Sequence, residues 1–455
     1  MLDQTPSEYL ERKALRINPL KTCQPVGALY AALGVRKCMP HSHGSQGCVS
    51  YHRSFLTRHF KEPAIATSSS FTEGASVFGG GANLKASIKN IFDIYDPDII
   101  AVHTTCLSET IGDDLNAFIS EATVPEGKLV VYANTPSYVG SHITGFGNMV
   151  ASFIKQLSIP TSAKCDKIGL LPGWVNPGDI RELKRLLSLM GLEAIILPDQ
   201  SGVLDSPMTG TYQMYPEGGT TIEDIIALGS VKAAISLGYA CSTEASLAIK
   251  GRLNIETSLM PLPIGVRATD NFLMSLSSLS GQKVPLDLES ERGRLIDLML
   301  DANQYFHEKK VAIFGDPDTV EGLCAFCLEL GLKPLYVLTG TPGDSFVERV
   351  KKILRSYQET YEVKIKAAGD LFELHQWIKN QGVDLLLGSS YGKQIAKAQD
   401  TPMVRVGFPV LDRYGHAYNP IVGYRGAIRL AEMIASTLMD RLDRDCADED
   451  LDVVM

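Results

Sequence analysis

Short runs of β-branched and other apolar residues recur along the chain, each closed by a cluster of Gly, Pro, Ser or Asp and followed by a stretch with helical periodicity. They fall at Asp98–Val102, Lys128–Tyr132, Lys167–Leu171, Ala194–Leu197, Ala233–Leu237, Lys310–Phe314, Pro334–Leu338, Glu362–Lys366, Val383–Leu387 and Met403–Val406. Strands that alternate with helices predict parallel sheets with right-handed crossovers. The pattern breaks near Thr161–Asp166, where a polar segment precedes a strand, and near Gly281–Leu288, before a long helical stretch. The expected architecture is therefore α/β, with three doubly wound, Rossmann-like parallel-sheet domains over 1–163, 164–284 and 285–455, the last carrying a C-terminal helix. From His41 to Gly81 the texture changes to Gly, Ser and His, which predicts functional loops.

Composition narrows the function classes. With 45% hydrophobic and 21% charged residues over 455 positions, the chain has the make-up of an ordered globular protein with several cores. Its 43 basic against 52 acidic residues give a net charge of -9, which disfavours nucleic acid or anionic lipid as a partner. Part of that acidity lies in Asp440–Asp452, read as a solvated end of the last helix. No apolar stretch of about 18 residues occurs and the charged N-terminal segment lacks a signal-peptide core, so a cytoplasmic location without membrane contact is expected.

Nine cysteines at irregular spacing, without a secretion signal, suggest ligands or core residues and not a disulfide framework. Cys23 in NPLKTCQP, Cys48 in HGSQGC and Cys106 in HTTCLSETIGDD sit beside Gly, Pro or Thr, in loops or at strand ends. Cys106 follows the strand-like IIAVH and should emerge at the carboxyl edge of a parallel sheet, where open α/β folds bind ligands. Gly44 and Gly47 would let backbone approach a bulky inorganic core. Any one of these cysteines alone reads better as a small buried hydrophobe. Their spacings of 25 and 58 residues match neither a zinc ribbon nor a ferredoxin run. Three thiols are also one short of an ordinary closed cluster, so further ligands must come from another residue type or another chain. Cys324 and Cys327 form a CxxC inside the apolar helical segment GLCAFCLELG and read as core. Cys38, Cys165, Cys241 and Cys446 are assigned to packing or surface.

The runs NPLKTCQPVGALYAALG, PHSHGSQGCVSYHRSFLTRHFKEPAIA, SSSFTEGASVFGGGANL and HTTCLSETIGDDL resemble the β subunits of molybdenum-iron nitrogenase. NTPSYVGSHITGF, ERGRLIDLMLDANQYF, GSSYGKQIA and GFPVLDRYGH continue the resemblance, in the family's order, over most of the chain. The fit is to the short-N-terminus, Clostridium-like type; many members carry a longer N-terminal extension, and any wrapping of the α subunit by it is expected to be missing or replaced here. The resemblance implies that Cys23, Cys48 and Cys106 hold half of an 8Fe-7S P-cluster shared with the α subunit. It implies that Ser137, in TPSYVGS, ligates one iron on oxidation.

The resemblance also implies a role for Asp297 and Asp301, four apart on a helical segment and, taken alone, only a solvated face. With Lys61 and Glu62 of a second β chain they would hold Ca2+ or Fe2+ at a β–β contact; Lys61 stands where Arg is common. Phe78 in SVFGGG reads from local sequence as a core anchor, but the resemblance places it, with Ile111, in the patch that receives the iron protein, the ATP-dependent reductase. No phosphate-binding motif is present, so nucleotide is not expected to bind this chain directly. His41 and His43 could tune the cluster but read as loop residues at the surface. His52 stands where the family often has Phe, a departure that would alter local polarity.

The implied function is electron relay within an α2β2 nitrogenase: from the iron protein, through the P-cluster, to an iron-molybdenum cofactor held by the α subunit alone, where N2 is reduced to ammonia. The chain itself would carry no catalytic residue. Vanadium or iron-only β subunits are the nearer alternatives; the scaffold that assembles the cofactor and the dark-type chlorophyll-precursor reductase are further ones. HGSQGC and the Clostridium-like fit over the whole length favour the molybdenum type over the vanadium and iron-only ones, which have similar cysteines; the three-cysteine pattern weighs against the scaffold, and HGSQGC with TPSYVGSH against the reductase.

Overall fold

The computed structural model describes residues 4–9, 12, 15–448 and 451. All ten expected strands form, with ends within two residues of expectation, and three further strands join them. The first sheet contains β1 (Cys38–His43), β2 (Thr67–Ser68), β3 (Ile99–Thr104) and β4 (Leu129–Ala133) in the order β2-β1-β3-β4. The second contains β5 (Ile168–Leu171), β6 (Ala194–Ile196), β7 (Ala234–Leu237) and β8 (Thr257–Met260) in the order β6-β5-β7-β8. The third contains β9 (Lys310–Gly315), β10 (Lys333–Thr339), β11 (Lys364–Lys366), β12 (Leu385–Gly388) and β13 (Met403–Arg405) in the order β11-β10-β9-β12-β13. Every ladder in these sheets is parallel.

Each order reverses once. The chain leaves β1 toward β2 and returns to the other side of β1 as β3; the same happens at β5/β7 and β9/β12. A crevice opens at the carboxyl ends of each such pair, and these crevices are where the fold admits ligands. In the first sheet the register Cys38↔Ile99 through His43↔Thr104 ends β1 and β3 level, so Gly44 and Thr105 leave the sheet side by side.

The strand β1, CMPHSH, lacks a β-branched run and is the largest departure from the expected pattern. It is buried along its whole length between β2 and β3. His41 and His43 are therefore interior strand residues and not surface loop residues. The acidic C-terminal segment is also shorter as a helix than expected: the last helix, Gly423–Asp445, ends before Cys446, and residues 449, 450 and 452 of the expected acidic end lie outside the described residues.

One apolar core joins the first and second sheets, and another runs continuously from the second into the third. The helix Gln24–Leu33 is buried throughout and crosses the helix His142–Leu157 at backbone distance. A Cβ on Gly27 would lie 1.7 Å from the His142 carbonyl oxygen, and one on Gly145 would lie 2.0 Å from that of Gln24. Only glycine permits that approach.

Candidate functional site

The first sheet's crevice gathers the three thiols, and each stands at the start of a helix. Cys23 is the residue before the helix Gln24–Leu33, Cys48 lies in the first turn of Gln46–Phe60, and Cys106 opens Cys106–Ile111. Ser45 caps the second helix by accepting the Gly47 amide, while Thr105 and Ser108 cap the third reciprocally. Cys23 ends a loop and Cys106 follows the end of β3, as expected, whereas Cys48 lies within a helix; all three sulfurs are presented from helix starts. Free amides and the positive end of the helix dipole favour anionic thiolates in this position.

All three are free thiols; Cys106 is exposed, while Cys23 and Cys48 are half-buried. Burial, with a smaller contribution from the neighbouring Cys48 and Cys106 sulfurs, pushes the Cys23 thiol up to about 11. Burial, then Cys106, raises Cys48 as well. Without metal these two groups keep their protons at neutral pH, and metal binding must release them. Among the described residues no three His, Cys, Asp or Glu side chains are gathered closely enough for a single ion. Three thiols that influence one another at looser spacing, with one side open, suit one face of a multi-iron cluster better than a mononuclear site.

The two glycines of the loop have different roles. A Cβ on Gly44 would lie 2.0 Å from the Thr105 hydroxyl, so Gly44 serves the contact between the ends of β1 and β3 and not an inorganic core. A Cβ on Gly47 would meet only Ser45 Oγ, at 3.5 Å, leaving the space above Cys48 open.

Under the thiols lies a buried polar network that sequence reading missed. Cys23 Sγ lies 3.4 Å from His52 Nε2, His52 Nδ1 lies 3.5 Å from Ser42 Oγ, and Ser42 Oγ lies 2.7 Å from His103 Nε2. On the other side of β1, Ser69 Oγ bridges His41 Nε2 at 2.8 Å and His43 Nδ1 at 2.9 Å. His43 Nε2 then pairs with Asp113 Oδ2 at 2.9 Å. Asp113 accepts the Gly80 amide, and the His43 carbonyl accepts from Thr105 and Ser108. Burial lowers His41 to about 3 and His52 to about 4, so both are neutral at ordinary pH. The available signal was alternation within CMPHSH, whose polar side chains can be satisfied only by partners distant in sequence.

The remaining expected residues fall in three places. Ser137 lies half-buried in the turn after β4, on the same sheet edge as the thiols. Phe78, the last residue of the helix Glu73–Phe78, is 90% exposed, which excludes the core-anchor reading; Val77 beside it is also exposed, and Ile111 is partly so. Asp297 and Asp301 lie exposed on the last turns of Leu286–Asp301. Within one chain they are not brought together with Lys61 and Glu62 into a metal site. Lys61 closes the helix Gln46–Phe60 in a left-handed conformation, its Nζ bonded to the Arg58 and Leu411 carbonyls. Cys324 and Cys327 are buried in the helix Pro317–Glu329, as their apolar context predicts.

The family model described as nitrogenase component 1 type oxidoreductase matches residues 23–439. The chain is 57% identical over 458 residues to the nitrogenase molybdenum-iron protein beta chain of Clostridium pasteurianum, covering 100% of both. It is 40% identical to the corresponding beta chain of Bradyrhizobium diazoefficiens, covering 96% of this chain and 88% of the relative. A chain of the solved structure "Nitrogenase Cp1 at pH 6.5" superposes with a TM-score of 0.98 at 56% identity, covering 100% of each.

Proposed function

Because the chain belongs to the nitrogenase component 1 type oxidoreductases and is of the molybdenum-iron beta kind, we propose that Cys23, Cys48 and Cys106 hold one half of an 8Fe-7S P-cluster. The α subunit supplies the other half within an α2β2 complex. Electrons arrive from the ATP-dependent iron protein and leave for the iron-molybdenum cofactor of the α subunit, where N2 becomes ammonia. The observation that carries this reading is the convergence of three thiols, from three helix starts, at a sheet crevice that remains open on one side.

When bound, the cluster supplies reversible electron storage; this chain supplies its environment. Three helix starts stabilise the thiolates, Gly47 leaves room above Cys48, and β1 and β3 carry a buried polar network beneath. Ser137 is positioned on the same edge to give an oxygen ligand when the cluster is oxidised. Phe78, with Ile111, forms the apolar contact for the iron protein, and Asp113 braces it by holding the Gly80 amide. Asp297 and Asp301, with Lys61 and Glu62 of a second copy, hold a hard cation such as Ca2+ or Fe2+ between β chains. The limits 1–163, 164–284 and 285–455 are proposed for the three sheet-bearing domains. Among the described residues no helix is long and apolar enough to cross a membrane.

The vanadium, iron-only and scaffold readings are disfavoured by the full-length identity of 57% to one molybdenum-iron beta chain, with 40% to another over nearly the whole chain. Iron and acid-labile sulfide analysis, on the chain purified anaerobically with its α partner and alone, tests the cluster reading. Full cluster content is expected only in the complex. A complete cluster on the lone chain would overturn the shared site, and a complex without iron would overturn the cluster.

A further inference from the structure

We propose that His52 is a positioning residue for the Cys23 sulfur: its Nε2–H donates a hydrogen bond to that sulfur, and Ser42 and His103 hold the ring in the tautomer that makes this possible. The inference rests on the reading of Cys23 as a cluster ligand and goes beyond it, because it assigns electronic tuning to residues that bind no metal.

The argument starts from the buried end of the chain of contacts. His103 Nδ1 is buried and makes no hydrogen bond of good geometry. The Ala101 carbonyl approaches the ring closely enough to favour its protonated form, without being aligned to receive the Nδ1 proton. A proton on Nδ1 would therefore be a stranded donor, whereas a lone pair there strands no donor. The neutral ring then carries its proton on Nε2, which faces Ser42 Oγ at 2.7 Å.

Ser42 has one proton to give. Accepting from His103, it turns its O–H toward His52 Nδ1, 3.5 Å away. His52 Nδ1 accepts, so the proton of that ring sits on Nε2, 3.4 Å from Cys23 Sγ. A metal-bound thiolate has no proton and needs a donor, which this arrangement provides. Ser42, His52 and His103 are all buried, so water does not compete for any of these contacts. Every donor in the series points one way, from the middle of the sheet to the sulfur.

A hydrogen bond to a ligand sulfur draws electron density from the cluster and stabilises its more reduced, more negative state. Phe at this position would fill similar space and donate nothing. Gln can donate from a comparable distance.

Anaerobic redox titration of the α-partnered complex tests the proposal, alongside iron analysis of each variant. His52→Phe is expected to shift the one-electron equilibrium about tenfold toward the oxidised form, a fall in midpoint of about 59 mV. His52→Gln should stay within about threefold of the parent, about half that shift on a logarithmic scale. Ser42→Ala, which releases the ring without touching the sulfur, should move the midpoint in the same direction by less. Equal shifts for Phe and Gln would mean packing alone and overturn the proposal, as would an unchanged midpoint in iron-replete His52→Phe. Should His52→Phe fail to assemble, an unchanged midpoint in iron-replete Ser42→Ala overturns it equally. Retention of parental iron by Cys23→Ala is the distinct result that would instead remove the cluster reading on which the proposal stands.

Discussion

The carboxyl edges of the first and third sheets are built to one plan and finished differently. At β1/β3 the edge is left open: thiols stand at helix starts, Cys106 is exposed, and the polar groups beneath are joined to one another. At the third sheet the chain fills the β9 side of its own crevice. Asp316, directly after β9, lies 2.8 Å from His142 Nε2. Trp174 packs edge-on against His142 and Phe408 at ring distances of 4.9 and 5.2 Å. The cavity beside Asp316 and Phe408 is about 20 Å³, room for one water, whereas Ser390 and Tyr391, just after β12, border a wider cavity of about 900 Å³ that reaches Tyr51 and Phe55. Both regions carry cysteines. Cys106 opens the helix after β3 and faces the crevice, whereas Cys324 and Cys327 lie deeper in the helix after β9, where burial pushes the Cys324 thiol up to about 12. A thiol becomes a ligand candidate through its place relative to an open sheet edge and not through its spacing to another thiol.

The sharpest way to break this comparison is to remove thiols from each region. Cys106→Ala should abolish cluster iron in the αβ complex. Cys324→Ala with Cys327→Ala should leave iron unchanged and lower stability by about 1–3 kcal/mol through lost packing. Iron loss in the second variant would show that the filled edge is not merely structural.

Acid stability compares how dry the two regions are. His41 lies under the open edge and His59 against the filled one, where Val410 donates its amide to Nδ1 and Phe408 packs on the ring. Burial lowers both to about 3, while unfolded histidine titrates at about 6.5. Their stabilising contribution is complete above the unfolded value and is lost as pH falls toward the folded one, each approaching about 1.4 kcal/mol per pH unit. Asp179, raised to about 6 by burial, acts in the opposite sense and offsets part of this. Denaturant midpoints should fall between about pH 7.5 and 5.5, and His41→Gln and His59→Gln should each flatten the slope. A flat slope in the parent, or no change in the His41 variant alone, would show that water reaches the open edge.

Phe78 tests the rim of the open region. Its ring is largely exposed, so Phe78→Ala should leave folding and iron content intact while weakening iron-protein binding by about 2 kcal/mol, seen as a raised half-saturating concentration. Unaltered binding and electron transfer would remove Phe78 from the docking surface. The smallest effect is expected at Ser137. If oxidation is coupled to loss of its hydroxyl proton, the midpoint should fall by about 59 mV per pH unit in the parent, and Ser137→Ala should flatten that dependence. A slope that persists in the variant assigns the proton to another group.

The strands were legible where both faces of a sheet are apolar, because continuous β-branched runs are then the only economical sequence. The strand β1 was not: Met39 faces one core, but His41, Ser42 and His43 are satisfied by Thr67, Ser69, His103 and Asp113, partners that no local window contains. The site divides the same way. The apolar surroundings of Cys324 and Cys327 were enough to read them as core. Cys23, Cys48 and Cys106 needed the family resemblance, since their convergence is a property of sheet order and register and is absent from their spacing. Phe78 shows the converse error: an aromatic beside glycines reads as an anchor until the fold places it outside. The contribution of His52 follows from a buried atom on His103, 51 positions away in sequence.

The glycine crossing of Gln24–Leu33 with His142–Leu157 bears on how this edge can move. Two helices that meet without an intervening layer of side chains have nothing to slide on; backbone atoms in contact resist shear far more than interdigitated rotamers do. The residue before the first helix is Cys23, and Ser137 lies a short turn ahead of the second. These two positions therefore flank one fixed crossing, and ligation by Ser137 on oxidation, as proposed above, would be accomplished by torsion of its side chain or turn and not by movement of the helices. The short helix that begins with Cys106 is held by other means, through hydrogen bonds from Thr105 and Ser108 to the His43 carbonyl at the end of β1.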